Sequence, residues 1–149
     1  MPATNAKIQF HILQQVSLEE RTRLKQFLIA LFQKEKKPLG ELSYIFCSDQ
    51  RLLEINRQFL QHDFYTDIIT FPLSDAGQPI SGEIYISVDR VRDNAREFGI
   101  SIKNELLRVI FHGALHLCGY KDKSPSEEKL MRKMEDKYLE LYSVPRGNI

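Results

Sequence analysis

The strongest constraint on the fold lies between Ser101 and Gly119. Ser101 can open, and Gly119 can close, a strongly apolar helix running from about Lys103 to Cys118. A helix this apolar belongs at the centre of a domain, under other elements. It nevertheless carries His112 and His116 four residues apart. Residues at i and i+4 share one helix face, with Cβ atoms about 5–6 Å apart, so both imidazoles project toward one spot.

The flanking sequence supplies the elements that would bury this helix. Ile8, Phe10 and Ile12 alternate with polar residues, as in a half-buried strand. Ser17 with Glu20 reads as a capping box for a helix to about Lys36, with Leu24, Phe27, Leu28 and Leu31 on one face and Pro38 to Gly40 ending it. Residues 42–47 read as a second strand, and Ser48 or Asp49 can cap a short helix carrying Leu52, Leu53, Ile55, Asn56 and Phe59. Residues 68–73 form a third strand, with Pro72 favouring its end or a sheet edge. A turn-rich stretch leads to a fourth strand, 83–87, giving a hairpin. Asp89 to Phe98 is a helix closed by Gly99, and Ser124, Pro125 and Glu127 form the capped start of the last one. A length of 149 residues suits one domain spanning 1–149. The expected class is α+β: a single-domain α/β sandwich with a small mixed sheet of about four strands, about five helices, and the histidine helix at its centre.

The charge balance says little about partners. With 21 basic and 20 acidic side chains the net charge is +1, so no general attraction to polyanions follows, although a local basic patch can still contact phosphates. Cys47 and Cys118 form no CxxC pair and read as reduced thiols of a cytoplasmic protein. The first residues lack the basic and apolar regions of a secretory signal. No apolar run approaches the roughly 18–20 residues that span a bilayer, so no membrane partner is expected.

The chemistry concentrates in His112-x3-His116-x2-Gly119-x2-Asp122. Two of the chain's four histidines fall here. Gly119 can turn the chain in a left-handed conformation and bring Asp122 back toward the ring pair. Each part has an ordinary reading: core histidines, a helix stop, a loop aspartate. Together they form a three-ligand frame for zinc, with Zn–N bonds of about 2.0–2.1 Å and a fourth position open to water or substrate. The spacing matches the metzincin frame HExxHxxGxxH with Asp122 as third ligand, but the Glu that serves those proteases as general base is replaced by Gly113. Two neutral imidazoles and one carboxylate leave a positive centre suited to a phosphodiester.

Read with its surroundings, the segment resembles the YbeY endoribonuclease family, whose signature is H-G-x-L-H-L-x-G-Y-D-H. Here it stands as His112-Gly-Ala-Leu-His116-Leu-Cys-Gly-Tyr120-Lys-Asp122. Upstream, Asn56-Arg-Gln-Phe and Asp63-Phe-Tyr-Thr66-Asp67-Ile-Ile-Thr-Phe71-Pro72 are similar to the family's LNxxYR and PTDVLSFP stretches, and Ser81-Gly82-Glu83-Ile84 to its LGDI. The likeness runs from about residue 40 to 140. It implies a single-strand-specific endoribonuclease acting in maturation of ribosomal RNA, notably the 3′ end of the small-subunit RNA. It also implies one Zn2+ ion at the motif positions His112, His116 and Asp122, and partnership with the small ribosomal subunit. Two departures from the family bear on the chemistry: Asp122 stands for its third His, and Leu60 for the Arg of YR. The alternatives are a non-catalytic ribosome-assembly factor with structural zinc, or another metal-dependent hydrolase or protease.

Further candidates surround this frame. Arg57, His62, Lys121 and Lys123 could contact RNA phosphates, although solvated surface positions are the ordinary role for such residues. Asp67 could orient a metal-bound histidine from behind, or simply start a strand. Phe59, Phe64, Tyr65 and Phe71 could stack bases, with most of them expected in the core. Cys118 and Tyr120 read as packing residues, and His11 as a surface one.

Overall fold

A computed structural model describes residues 6–61 and 66–144. Four strands, β1 (Lys7–Ile12), β2 (Leu39–Cys47), β3 (Ile68–Pro72) and β4 (Ile80–Ser87), form one sheet in the order β1-β2-β4-β3. β1, β2 and β4 run parallel, and β3 closes one edge antiparallel to β4. Among the described residues five α-helices accompany the sheet: α1 (Arg21–Lys34), α2 (Asp49–Ile55), α3 (Val88–Phe98), α4 (Ile102–Leu117) and α5 (Pro125–Ser143). This is the expected α+β arrangement with a mixed four-stranded sheet.

The strand register shows why the sheet has one heavily buried face. Ile8, Phe10 and Ile12 pair with Leu42, Tyr44 and Phe46, and the last two pair with Ile84 and Ile86. Directly paired residues point to the same side, so these rows form one apolar surface. Leu24, Phe27, Leu28 and Leu31 of α1 join them in the main core, with Ile110, Phe111, Ala114 and Leu115 of α4 and Tyr138 of α5. On the opposite face a smaller cluster, Cys47, Leu52, Ile55 and Ile69, packs beneath α2.

Three local expectations need correction. Ser17 and Glu20 do not cap α1: the helix begins at Arg21, with Glu20 left-handed at φ 52° and no side-chain cap. Val16 and Leu18 are both buried around exposed Ser17, an alternation that holds this stretch extended and delays the helix. β2 and β4 start earlier than their apolar runs, at Leu39 and Ile80, because the Ile80 N–H donates to the Pro38 carbonyl at 2.7 Å and extends the pairing. Finally, α2 widens into a π-helical turn, Asn56–Leu60, which leaves Phe59 60% exposed rather than in the core. Phe64 and Tyr65 lie outside the described residues.

The sequence signals at the other helix ends do operate. Ser48 and Ser101 each accept the backbone N–H three residues on, and Ser124 with Glu127 forms a reciprocal capping box behind Pro125. Ser87, read from the sequence only as the end of a strand, caps α3 in the same way. Among the described residues no helix is long and apolar enough to cross a membrane.

Candidate metal centre

α4 is held against the sheet from two directions. The buried Tyr44 hydroxyl donates to the Ile110 carbonyl at 2.8 Å, and Gly113 rests directly on β3 and β4. A Cβ at position 113 would lie 2.9 Å from two carbons of Ile84 and 3.1 Å from Ile68 Cδ1. The position that carries Glu in metzincins is thus a packing point on the sheet in this chain. His112 and His116 look instead into a cleft of about 230 Å³, walled by Asn56 and Leu60 of the π turn, Thr66, Ile68 and Thr70 of the β3 segment, and Asp122.

The turn after α4 brings Asp122 to that cleft. The Tyr120 N–H donates to the Leu115 carbonyl at 3.1 Å and the Gly119 N–H to the His116 carbonyl at 3.0 Å, the paired bonds of a Schellman motif. Gly119 has φ 110°, where any side chain would be strained. Tyr120 then anchors the turn by donating to Glu35 at 2.8 Å, and Tyr138 donates to the same carboxylate.

His112 sits between two carboxylates. Its Nδ1 is 2.7 Å from Glu135 Oε2, and its Nε2 is 3.2 Å from Asp122 Oδ2. Arg108, one turn earlier on α4, donates from Nη1 to Glu135 Oε1 at 2.9 Å and from Nη2 to Asp136 at 2.8 Å. The His112 and Asp122 donors are spaced as two zinc ligands would be. Two ligands about 2.0–2.2 Å from a tetrahedral ion stand roughly 3.3 Å apart, close to the Nε2–Oδ2 separation. With Nδ1 turned to Glu135, Nε2 faces Asp122 as the free donor. His116 lines the same cleft, although no three His, Cys, Asp or Glu side chains among the described residues stand in a complete ligating arrangement.

The two rings have opposite electrostatics. Burial would lower the His112 pKa, but the hydrogen bond to Glu135 and the negative charges of Glu135, Asp122 and Asp67 outweigh it, and the net shift is upward. For His116 burial dominates, with His112 and Lys123 acting in the same direction, and the pKa falls despite Asp122. His116 is therefore the more readily neutral ring, the form that binds metal. Burial raises Asp67 above the usual carboxylate range even though His112 pulls it down.

The other candidates scatter. Arg57, Lys121 and Lys123 are exposed, and Lys123 is near enough to act on His116. His62 lies outside the described residues. Asp67 lines a second, polar cleft of about 460 Å³ that shares Thr66, Ile68, His112 and Asp122 with the first. It acts on His112 through its field, whereas the hydrogen bond to the ring comes from Glu135. Arg108 and Glu135 carry no local signature, since Glu135 lies 23 residues beyond His112. The i, i+4 spacing of Arg108 and His112 was the one readable hint. Cys118 is buried and burial pushes its thiol up to about 12, in keeping with a packing role.

Comparison with known proteins places this geometry. The family model for Endoribonuclease YbeY matches residues 7–143. A protein of that name from Flavobacterium psychrophilum is 47% identical over 147 residues, covering 99% of this chain and 100% of the relative. One from Cytophaga hutchinsonii is 50% identical over 127 residues, 85% of this chain and 89% of the relative. One from Bacteroides thetaiotaomicron is 55% identical over 103 residues, 69% and 74% of the two chains. A solution structure of a Thermotoga maritima protein aligns with a TM-score of 0.62 at 32% identity, covering 90% of this chain and 87% of that one. The likeness noted in the histidine motif thus extends through the sheet and all the helices, and the chain belongs to the Endoribonuclease YbeY family.

Proposed function

We propose that this protein, acting as a single cytoplasmic domain, is a zinc-dependent endoribonuclease that cuts single-stranded RNA. Its role would be maturation of ribosomal RNA on the small subunit, notably at the 3′ end of the small-subunit RNA. The activity follows from the relatives, named Endoribonuclease YbeY, that match across nearly the whole chain. The observation that carries the metal reading is His112 with Nδ1 held by Glu135 and Nε2 3.2 Å from Asp122.

His112, His116 and Asp122 would hold one ion. What zinc supplies in such a site is Lewis-acid stabilisation of charge developing on the scissile phosphodiester. Arg57, Lys121 and Lys123 are exposed basic residues that could contact neighbouring phosphates, with His62 a further candidate. A single-stranded substrate is supported by the exposed Phe59, whose ring meets Phe71 edge-on at 6.1 Å, with Phe71 in turn 5.7 Å from Tyr85. An exposed ring beside the cleft-lining Leu60 gives an unpaired base a stacking surface. Peptide hydrolysis is disfavoured, because a general base at position 113 would collide with Ile84.

The test measures zinc content and cleavage of a single-stranded RNA together. Wild type should carry one zinc and cut, while His112→Ala and Asp122→Ala should lose both. Cyclic phosphate ends would identify the neighbouring 2′-hydroxyl as nucleophile, and their absence would point to water. Wild-type protein that purifies without metal and gains no nuclease activity from added zinc would rule the reading out. Normal RNA processing in cells carrying His116→Ala would favour an assembly factor with structural zinc.

A further inference from the structure

We infer that Glu135 and Arg108 are positioning residues that fix the His112 ring, so that its Nε2 is the one free donor facing Asp122. The inference rests on reading His112 as a metal ligand and adds residues from α4 and α5 that no motif marks. Glu135 is only 5% exposed, and a carboxylate this deep needs partners for both oxygens. It has one for each: Arg108 Nη1 at Oε1, 2.9 Å, and His112 Nδ1 at Oε2, 2.7 Å. Held at both ends, the carboxylate cannot turn. An acceptor at Nδ1 requires the neutral ring to carry its proton there, which leaves the lone pair on Nε2. Arg108 is itself fixed through Nη2 by Asp136 at 2.8 Å. Asp136 follows Glu135 on α5 as Arg108 precedes His112 by one turn of α4. The contact between the two long helices therefore sets the ring's direction as well as joining them.

A purely structural ion pair would also link α4 to α5, but it would not choose a tautomer. Carboxylates behind metal-bound histidines commonly change metal affinity about 10–100-fold when removed. The experiment therefore has two readouts on Glu135→Gln, Glu135→Ala and Arg108→Met, with Asp67→Asn as the competing carboxylate. The first is zinc affinity by competition with a chromogenic chelator. The second is the His112 tautomer from ¹⁵N NMR of metal-free protein at about pH 9, well above the usual imidazole range.

Wild type should show the proton on Nδ1. Glu135→Gln, which keeps an acceptor of the same shape, should bind zinc about tenfold more weakly. Glu135→Ala should lose about a hundredfold and move the proton to Nε2. Arg108→Met should fall between wild type and Glu135→Ala. Asp67→Asn, which removes a charge but no hydrogen bond to the ring, should weaken binding less than Glu135→Gln and leave the proton on Nδ1. If Glu135→Ala does not fold, Glu135→Gln decides by itself. Glu135 variants within threefold of wild-type affinity and with an unchanged tautomer would overturn the inference, as would weakening by Asp67→Asn alone. If wild type binds no zinc, or His112→Ala binds it as well as wild type, the metal reading fails instead, and the tautomer still reports on the relay.

Discussion

Gly113→Ala tests whether α4 really lies as close to the sheet as the site requires. The new methyl would sit 2.9 Å from both Cδ1 and Cγ2 of Ile84 and 3.1 Å from Ile68 Cδ1. Carbon atoms pack comfortably at about 3.5–4.0 Å, so the overlap is roughly 0.6–1.1 Å against Ile84. Cγ2 is a branched methyl next to the β2–β4 pairing and cannot swing away as a long side chain would. Overpacking of this kind costs about 1–3 kcal/mol, while alanine regains about 1 kcal/mol of helix propensity. The net expectation is a loss of up to about 2 kcal/mol.

A double-mutant cycle with Ile84→Val isolates the Cδ1 part of the contact, because valine lacks Cδ1 but keeps the γ methyl. Alone, Ile84→Val should cost about 0.5–1.5 kcal/mol. In the Gly113→Ala background it should cost much less, giving a coupling of about 1 kcal/mol in urea unfolding. If Gly113→Ala stabilises the protein by its full helix propensity, and the cycle is additive within about 0.5 kcal/mol, α4 does not approach the sheet as described. The same crowding explains the missing peptidase base: Gly113→Glu would force a carboxylate against Ile84 and Ile68 and should abolish folding, seen as loss of the unfolding transition.

Four further outcomes are expected. Ser124→Ala removes the N-cap of α5 and should lower stability by about 1 kcal/mol in urea unfolding. Glu105 is 4% exposed and burial raises its pKa. A raised carboxylate contributes stability that is full below its unfolded value near 4.3 and lost as pH rises through the folded one. Glu105→Gln should therefore raise Tm at pH 7 and leave it unchanged near pH 4, and an equal gain at both would refute the cause. Tyr120→Phe removes one of the two hydroxyls held by Glu35 and should cost about 1–2 kcal/mol while loosening the turn that delivers Asp122, seen as weaker zinc binding. Zinc at 100 times its Kd should stabilise wild type by about 2.7 kcal/mol and Asp122→Ala by far less, so equal Tm shifts would count against that ligand.

Much of the fold was readable because its signals are local. The serine caps of α2, α4 and α5 and the alternation in β1 each depend on a few neighbouring residues. The local rules misled where distant contacts prevailed. Ser17 and Glu20 have capping-box spacing, but burying both Val16 and Leu18 requires extended backbone. Phe59 has the composition of a core residue, but the π turn rotates it outward by a single shift in hydrogen-bond register. No pattern within one turn of sequence records that shift.

The candidate centre divides along the same line. His112, His116, Gly119 and Asp122 span eleven residues, so helix periodicity and one Schellman turn suffice to bring the two rings and the carboxylate to one cleft. Glu135 reaches His112 only because α5 folds back along α4, and Glu35 holds Tyr120 from 85 residues away. A ligand set can therefore be carried by one segment, whereas what fixes ring tautomer and turn position must come from elements packed around it. It follows that a peptide spanning 101–124 contains every proposed ligand and neither support. It should bind zinc at least as weakly as the Glu135→Ala protein in the same chelator competition, and a peptide matching the wild-type domain would mean that those distant carboxylates contribute nothing to the centre.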